Sequence, residues 1–425
     1  MDKKYTIITI SDHPLASSGV GIQTKYVIER LVASGKFRVI SIAAAIKHKD
    51  YRPQKVKEWG DDVVILPVDG YGNPQVLRKL MNTENPDALW IMTDPRFYQW
   101  LFQMENEVHK KMPILYNTIW DNFPPPSYNK ASYESCDFLG CINKLTYDIM
   151  CHFGLEDKAM YLPHGVKPDE YTILYDKTEQ ELKASYFGVK HKDSFVLFYN
   201  SRNAMRKRTG NVIMAFEQFR ANLPEDERDK VLLLMHTPPK DKEGQDLHVI
   251  LRDFDLTDSV KFSDKRVQPH VMNEFYNLAQ MTISMSSEEG FGLSVLESLM
   301  AGTPVMCTKT GGMQDQVVDP ETGEEFGMCL EPQARSLIGS QTTPYIWQDH
   351  LDPEFTSKKI REMYDSWQSD KDGYKEKWAG EKARASMLRR FNLEEIQEIW
   401  ETKITEEIEK FRANKDDRKL KVLSV

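Results

Sequence analysis

Apolar residues fall into short β-branched runs separated by stretches with apolar positions three and four apart, an alternation that predicts a parallel sheet with covering helices. Tyr5–Ile10 (YTIITI) is the first run, and Tyr26–Ala33 is the first helical repeat after a loop of Ser and Gly. Runs at Phe37–Ala43, Val63–Pro67, Ala88–Met92, Ile114–Thr118 and Phe138–Ile142 carry the pattern to about Leu162. A second series comprises Phe195–Tyr199, Val231–Met235, Val260–Phe262, Met281–Met285 and Val305–Thr308. The charged stretch from Lys167 to Asp193 between them reads as a hinge. Glu394–Phe411 reads as one long amphipathic helix. The expected division is therefore an α/β domain over 1–185, a second over 186–393, a helix over 394–412 and a frayed tail over 413–425.

A chain of 425 residues exceeds the size at which one core stops growing, so a cleft between two domains is the expected ligand site. The 56 basic and 65 acidic residues leave a net charge of −9, which gives no global attraction to nucleic acid or to an anionic membrane. A polyanionic partner needs a local patch. The densest basic stretch of the first domain, Lys47, His48, Lys49, Arg52, Lys55 and Lys57, is interleaved with Asp50 and Glu58 and reads as a solvated loop. Five cysteines without a Cys-x-x-Cys pair fit reduced thiols rather than a disulfide framework or a structural zinc site. The start Met1-Asp-Lys-Lys-Tyr5 has no signal-peptide core, and no run of about 18 apolar residues occurs, so a soluble, cytoplasmic protein is expected.

The segment from Ser286 to Val305 (SSEEGFGLSVLESLMAGTPV) carries the chemistry. It follows a strand, makes a glycine loop and continues as a helix. Gly290, Phe291, Gly292 and Leu293 can then present backbone N–H groups to an anion at the helix N-terminus. Glu289 sits at the mouth of that loop and Glu297 about two turns along the helix. An acidic residue beside an anion site is unfavourable unless it meets a hydroxyl or a developing positive charge, and a sugar supplies both.

This pattern resembles the signature of the family 4 retaining glycosyltransferases, the glycosyl transferases group 1 related to glycogen and sucrose synthases. Tyr161–Val166 (YLPHGV) is similar to that family's I-P-N-G-V-D block, with Lys167 in place of the aspartate. Tyr199-Asn-Ser-Arg202 with Lys207 resembles its G-R-x-x-x-x-K block, and Gly311-Gly312 its G-G block. The resemblance implies two facing Rossmann-like domains, the glycosyltransferase B-type fold, with a C-terminal helix crossing back to the first. It implies transfer, with retention, of a hexose-type sugar from a nucleotide diphosphate donor, UDP-linked, to an unidentified hydroxyl acceptor. By similarity Arg202 and Lys207 clamp the departing diphosphate, Glu297 holds the ribose, Glu289 the donor sugar, and the backbone near Arg266 and Val267 the base. No cofactor and no metal are expected, because the two cations supply the positive charge.

In the first domain Gly19 and Gly21 (SGVG) are read as letting the backbone approach the diphosphate and sugar; Thr24 stands where a dinucleotide fingerprint has its third glycine, which disfavours an NAD enzyme. Ile114–Asp121 (ILYNTIWD) lies where the family carries T-x-H-D, so Asp121 matches while Trp120 replaces the histidine. Trp120, Asp121 and His164 are candidate acceptor contacts, within a stretch whose rings could stack on sugars or bases. Asp253-Phe-Asp255 has the spacing of a metal-binding pair but no phosphate-binding context. Three alternatives share these features: a phage-type enzyme glucosylating modified DNA bases, a nucleotide-sugar 2-epimerase and a non-catalytic nucleotide-sugar scaffold.

Overall fold

The computed structural model describes residues 3–414, so residues 415–425 of the tail expected over 413–425 lie outside the described residues. The first series forms β1 (Tyr5–Asp12), β2 (Phe37–Ala44), β3 (Val63–Pro67), β4 (Ala88–Thr93), β5 (Ile114–Thr118), β6 (Phe138–Cys141) and β7 (Ala159–Tyr161). They pair in parallel in the order β3-β2-β1-β4-β5-β6-β7. β1 pairs Tyr5 with Phe37 on one side and Ile7 with Ala88 on the other, and is buried from Ile7 to Asp12. A strand covered on both faces has no solvent side to pattern, so YTIITI is continuously apolar.

The second series forms β8 (Phe195–Asn200), β9 (Val231–His236), β10 (Val260–Ser263), β11 (Met281–Ser284), β12 (Val305–Thr308) and β13 (Gly327–Leu330). These too are parallel, in the order β10-β9-β8-β11-β12-β13. The strand order reverses at β1 in one sheet and β8 in the other, and open α/β sheets bind ligands at the carboxyl ends beside such points. An antiparallel hairpin of β14 (Ala334–Ile338) and β15 (Ile346–His350) follows. It reaches the first domain, where the Trp347 N–H donates to the Phe123 carbonyl at 2.8 Å and the Tyr128 hydroxyl to the Tyr345 carbonyl at 2.7 Å.

The stretch read as a hinge contains a helix, Glu179–Phe187, started by a capping box between Thr178 and Glu181. Its Leu182 is buried in one cluster with Val196 and Phe198 of β8. The helix therefore packs on the second domain, and the boundary expected between 185 and 186, which cuts it, moves back to the linker before Thr178.

The last helix, Leu393–Ala413, crosses back as expected. Ile396, Trp400, Ile404 and Ile408 form one stripe four residues apart and share a core with Val27, Leu31 and Trp90 of the first domain. Trp400 meets Trp90 edge to face at 5.7 Å, and a Cβ on Gly140 would lie 2.5 Å from its ring. Glu401 fixes the crossing by pairing with Arg30 at 2.7 Å and Lys36 at 2.8 Å. Trp400→Ala is expected to destabilise the protein by about 3–5 kcal/mol in thermal or urea unfolding, the range for a buried aromatic cut to alanine. A change below about 1 kcal/mol would show that this helix is not part of the first domain's core.

Candidate active site

The signature loop runs from Met285 to Gly292 between β11 and the helix Leu293–Met300. Gly292 caps that helix at φ +87°, a backbone region that L side chains avoid, and a Cβ there would come within 2.7 Å of Met313. A glycine cap has no side chain to serve the first turn. The N–H groups of Gly290, Phe291, Gly292 and Leu293 accordingly make no hydrogen bond among the described residues. They stand at the positive end of the helix, where an anion is favoured.

The loop is pressed from two sides. From behind, the Gly312 N–H donates to the Glu289 carbonyl at 3.2 Å, and a Cβ on Gly311 would lie 1.7 Å from that oxygen. From the first domain, the amide of Asn143 donates to the Gly290 carbonyl and, at 3.1 Å, to the Trp120 carbonyl. A Cβ on Gly290 would lie 2.9 Å from an Asp121 carboxylate oxygen, so the domains meet here with no space for a methyl group. The helix Gly19–Ala33 of the first domain starts opposite, and a Cβ on Gly19 would lie 3.0 Å from Leu293. Two helix N-termini thus face each other across the cleft. Gly21 does not join them: its N–H is taken by the Ser18 hydroxyl at 3.0 Å, and a Cβ would lie 2.8 Å from the His13 carbonyl. Its smallness serves the turn.

Glu289 is the centre of charge. Lys207 touches its carboxylate, and Arg206 lies 3.4 Å away while donating to the Glu288 carbonyl at 2.8 Å. Burial alone would push the Glu289 carboxyl up, but Lys207 and Arg206 outweigh it and hold the group below its ordinary range. Arg202 is not in this group. It pairs with Asp241 at 2.8 and 2.9 Å and with Glu243 at 3.0 Å, and its side chain is 55% exposed. Carboxylates on the loop after β9 hold Arg202, while Lys207 and its neighbour Arg206 stand at Glu289. Arg206 reads in sequence as one more charge in a solvated basic loop. Only the short turn Met205–Lys207 brings it to Glu289.

Glu297 accepts from the Tyr276 hydroxyl at 2.6 Å and the Asn200 amide at 3.4 Å, and Tyr171 also bonds to it. Burial outweighs these donors and pushes its carboxyl up to about 7. Arg266 is exposed on the loop after β10, and Val267 packs on the cluster that holds Tyr276. Asp121 faces Arg206, Glu289 and Lys207 from the first domain, its carboxyl raised by burial. His164 lies under the loop with its ring 5.2 Å from Phe291, and burial lowers its imidazole to about 3, leaving it neutral. Trp120 is 3% exposed in the core of the first domain. Both rings, expected as acceptor contacts, are buried. Trp90 and Tyr98 of the same aromatic stretch are fully buried. Asp253 and Asp255 stay exposed at the end of the helix Leu247–Asp253. No group of three His, Cys, Asp or Glu among the described residues is placed to hold a metal ion, and no described helix is long and apolar enough to cross a membrane.

Residues 181–334 match the model of the glycosyl transferases group 1, the family that the signature resembles. The D-inositol 3-phosphate glycosyltransferase of Acidothermus cellulolyticus is 30% identical over 122 residues, 26% of this chain and 27% of that protein. The trehalose synthase of Pyrococcus horikoshii is 28% identical over 175 residues, 39% and 40% of the two chains. The chain thus matches less than half the length of these relatives. The whole fold is similar to a sucrose-phosphate synthase from Thermosynechococcus elongatus, with a TM-score of 0.69 at 15% identity, covering 99% of this chain and 100% of that one. It is also similar to a glycosyltransferase from Rickettsia africae, with a TM-score of 0.69 at 17% identity over 96% and 99% of the chains. The two parallel-sheet domains are those of the glycosyltransferase B-type fold.

Glu297 gives a direct test of the site's electrostatics. A carboxyl raised from 4.5 to about 7 on folding contributes stability that is present below about pH 4.5 and lost as the pH rises through about 7. Glu297→Gln removes that loss while keeping an acceptor for Tyr276. It is expected to stabilise the unliganded protein at pH 8 relative to pH 5 by about 1–2 kcal/mol in thermal melts. Equal effects at both pH values would contradict the burial of this charge.

Proposed function

We propose that the protein is a retaining, metal-independent glycosyltransferase that moves a hexose from a UDP-type nucleotide sugar to a hydroxyl acceptor. One observation carries the reading: two helix N-termini, Arg206 and Lys207 converge on Glu289 where the domains touch. Free N–H groups with two cations suit a diphosphate, and a carboxylate among them suits a sugar that turns positive as its bond breaks. The group 1 match over the second domain and the glycosyltransferase names of its relatives support this chemistry.

In this reading the donor diphosphate takes over Lys207 and Arg206 from Glu289. The bond between the anomeric carbon and the diphosphate oxygen breaks, and the two cations stabilise the charge that collects on the leaving group. Glu289, released, faces the sugar and its oxocarbenium-like charge. The acceptor oxygen bonds to the anomeric carbon on the face that the diphosphate leaves, and its proton passes to a diphosphate oxygen, so configuration is retained without an enzyme nucleophile. Glu297, fixed by Tyr276, holds the ribose, and the backbone at Arg266 and Val267 meets the base. The unpaired cysteines fit a cytoplasmic setting. Of the rings between Trp90 and Tyr128, Trp90, Tyr98 and Trp120 are core residues and Phe97 is exposed.

Steady-state kinetics with nucleotide sugars separate these roles. Glu297→Ala is expected mainly to raise the donor KM and Glu289→Gln mainly to lower kcat, each by about tenfold to a hundredfold. Arg206→Ala should lower kcat/KM more than Arg202→Ala. The placement of sugar and ribose fails if Glu297→Ala abolishes turnover while Glu289→Gln leaves it unchanged. Chelation by EDTA is expected to change the rate by less than about tenfold, and NMR of the product should show the donor's anomeric configuration. A manganese- or magnesium-dependent rate, or an inverted product, would reject the metal-independent retaining mechanism.

A further inference from the structure

The hairpin β14–β15 begins where the group 1 match ends, at residue 334, and touches both domains at once. Its base is set in the second domain, since Leu330 before it and Leu351 after it are buried in one core cluster with residues of β8 and β9. Its outer part lies on the first domain. Besides the bonds of Trp347 and Tyr345 to Phe123 and Tyr128, the Tyr345 hydroxyl shares a hydrogen bond with the Ser127 hydroxyl at 2.7 Å. Arg96 donates to the Thr343 hydroxyl at 3.2 Å and Asn122 to Asp349 at 2.7 Å. The Asp349 N–H donates to the Ser287 carbonyl at 2.8 Å, so β15 turns one edge to β14 and the other to the signature loop and the loop after β5.

Two features make this attachment reversible. It is mainly polar: apart from Ile346, which packs on the first domain's core, and the Trp347 ring, 6.4 Å from that of Phe123, it consists of hydrogen bonds that water can replace. It also keeps two opposite charges from each other. Gln348 accepts from the Arg208 guanidinium at 2.7 Å and donates to a Glu288 carboxylate oxygen at 3.2 Å, so its amide bridges the cation and the carboxylate. Neither group is in an ion pair among the described residues, and the Arg208 Nε and the Glu288 Oε2 are sealed from solvent with no hydrogen-bond partner. Buried polar atoms left unpaired are costly, and these two groups could satisfy each other. Burial pushes the Glu288 carboxyl up to about 7 while Gln348 is seated, and direct pairing with Arg208 would lower it.

We propose that the hairpin is a strap that latches the two domains over the cleft, and that Gln348 is its catch. Seated, the Gln348 amide keeps Arg208 and Glu288 apart while satisfying one atom of each. Lifted, it leaves them free to pair directly, and that pairing holds the strap open. Each state thus compensates the two charges in its own way, which makes the strap a two-state element rather than a fixed seam. Lifting uncovers Asn122 and Glu288, both buried in the seated form, and opens the cleft beside Glu289 with the crossing helix Leu393–Ala413 still in place. How the cleft opens is independent of what reacts in it, so the strap does not depend on the glycosyl-transfer reading.

Hydrogen–deuterium exchange of the full chain tests this without nucleotide, at about pH 8 so that Glu288 is ionised. Peptides holding the Trp347 and Asp349 amides report the strap, and peptides from β1 and β8 in the same digest report folding. Gln348→Ala is expected to speed exchange of the strap peptides by about tenfold or more, and Glu288→Gln in that background to return it to within about threefold of the parent, because Arg208 then has no ionised partner. Glu288→Gln alone should slow exchange by about threefold, since the seated form keeps its hydrogen bond and the lifted form loses its ion pair. Exchange unchanged by Gln348→Ala overturns the proposal. So does equal acceleration with and without Glu288→Gln, which would show that Gln348 only ties the hairpin down. If Gln348→Ala also unprotects β1 and β8, Glu288→Gln alone decides: slowing of the strap peptides supports the catch, and no slowing overturns it.

Discussion

Glu289 is a buried carboxylate that stays ionised because Lys207 and Arg206 stand against it. A paired buried charge of this kind adds little net stability, but removal of one partner leaves the other uncompensated, typically at a cost of about 3–5 kcal/mol. The rest of the cleft is arranged around this constraint. Gly290, Gly311 and Gly312 are glycines because any side chain would enter the backbone or the facing domain. Asn143 ties the same loop to the first domain. The loop is thus held by an internal ion cluster of Glu289 with Lys207 and Arg206.

The two sheets were legible because their central strands are buried on both faces and their sequences are continuously apolar. β7 has only three residues, all half-buried, and β14 is exposed along its whole length, so neither carries a hydrophobic pattern to read. The helix Glu179–Phe187 announces itself by its capping box, but the side chains that pack it on the second domain, Leu182, Phe187 and the buried Lys183, stand among many charges, which is why that stretch reads as a hinge.

At the site, the positions fixed by backbone geometry were the readable ones. Gly290, Gly292 and Glu289 sit where the strand, loop and helix pattern puts them, and Gly19 faces Leu293 across the cleft. Less legible was the partner of each of the neighbouring charges. Arg202 and Arg206 lie four residues apart on one irregular loop, and only its path sends the first to Asp241 and the second to Glu289. The burial of Trp120 was not legible either, since a tryptophan beside a cleft residue serves the core as readily as a ligand. Glu288 had a signal, the acidic doublet with Glu289, whose meaning depends on a hairpin that no local pattern reveals.

If Glu289 competes with the donor diphosphate for Lys207 and Arg206, the two sides of that competition respond in opposite directions to substitution. Calorimetric titration with UDP tests this most directly. Glu289→Gln, which frees both cations, is expected to bind UDP at least as tightly as the parent protein and up to about tenfold more tightly, whereas Lys207→Met should lose about tenfold or more. If Glu289→Gln weakens UDP as much as Lys207→Met does, the ion cluster does not hold the place of the diphosphate and the account of this cleft is wrong.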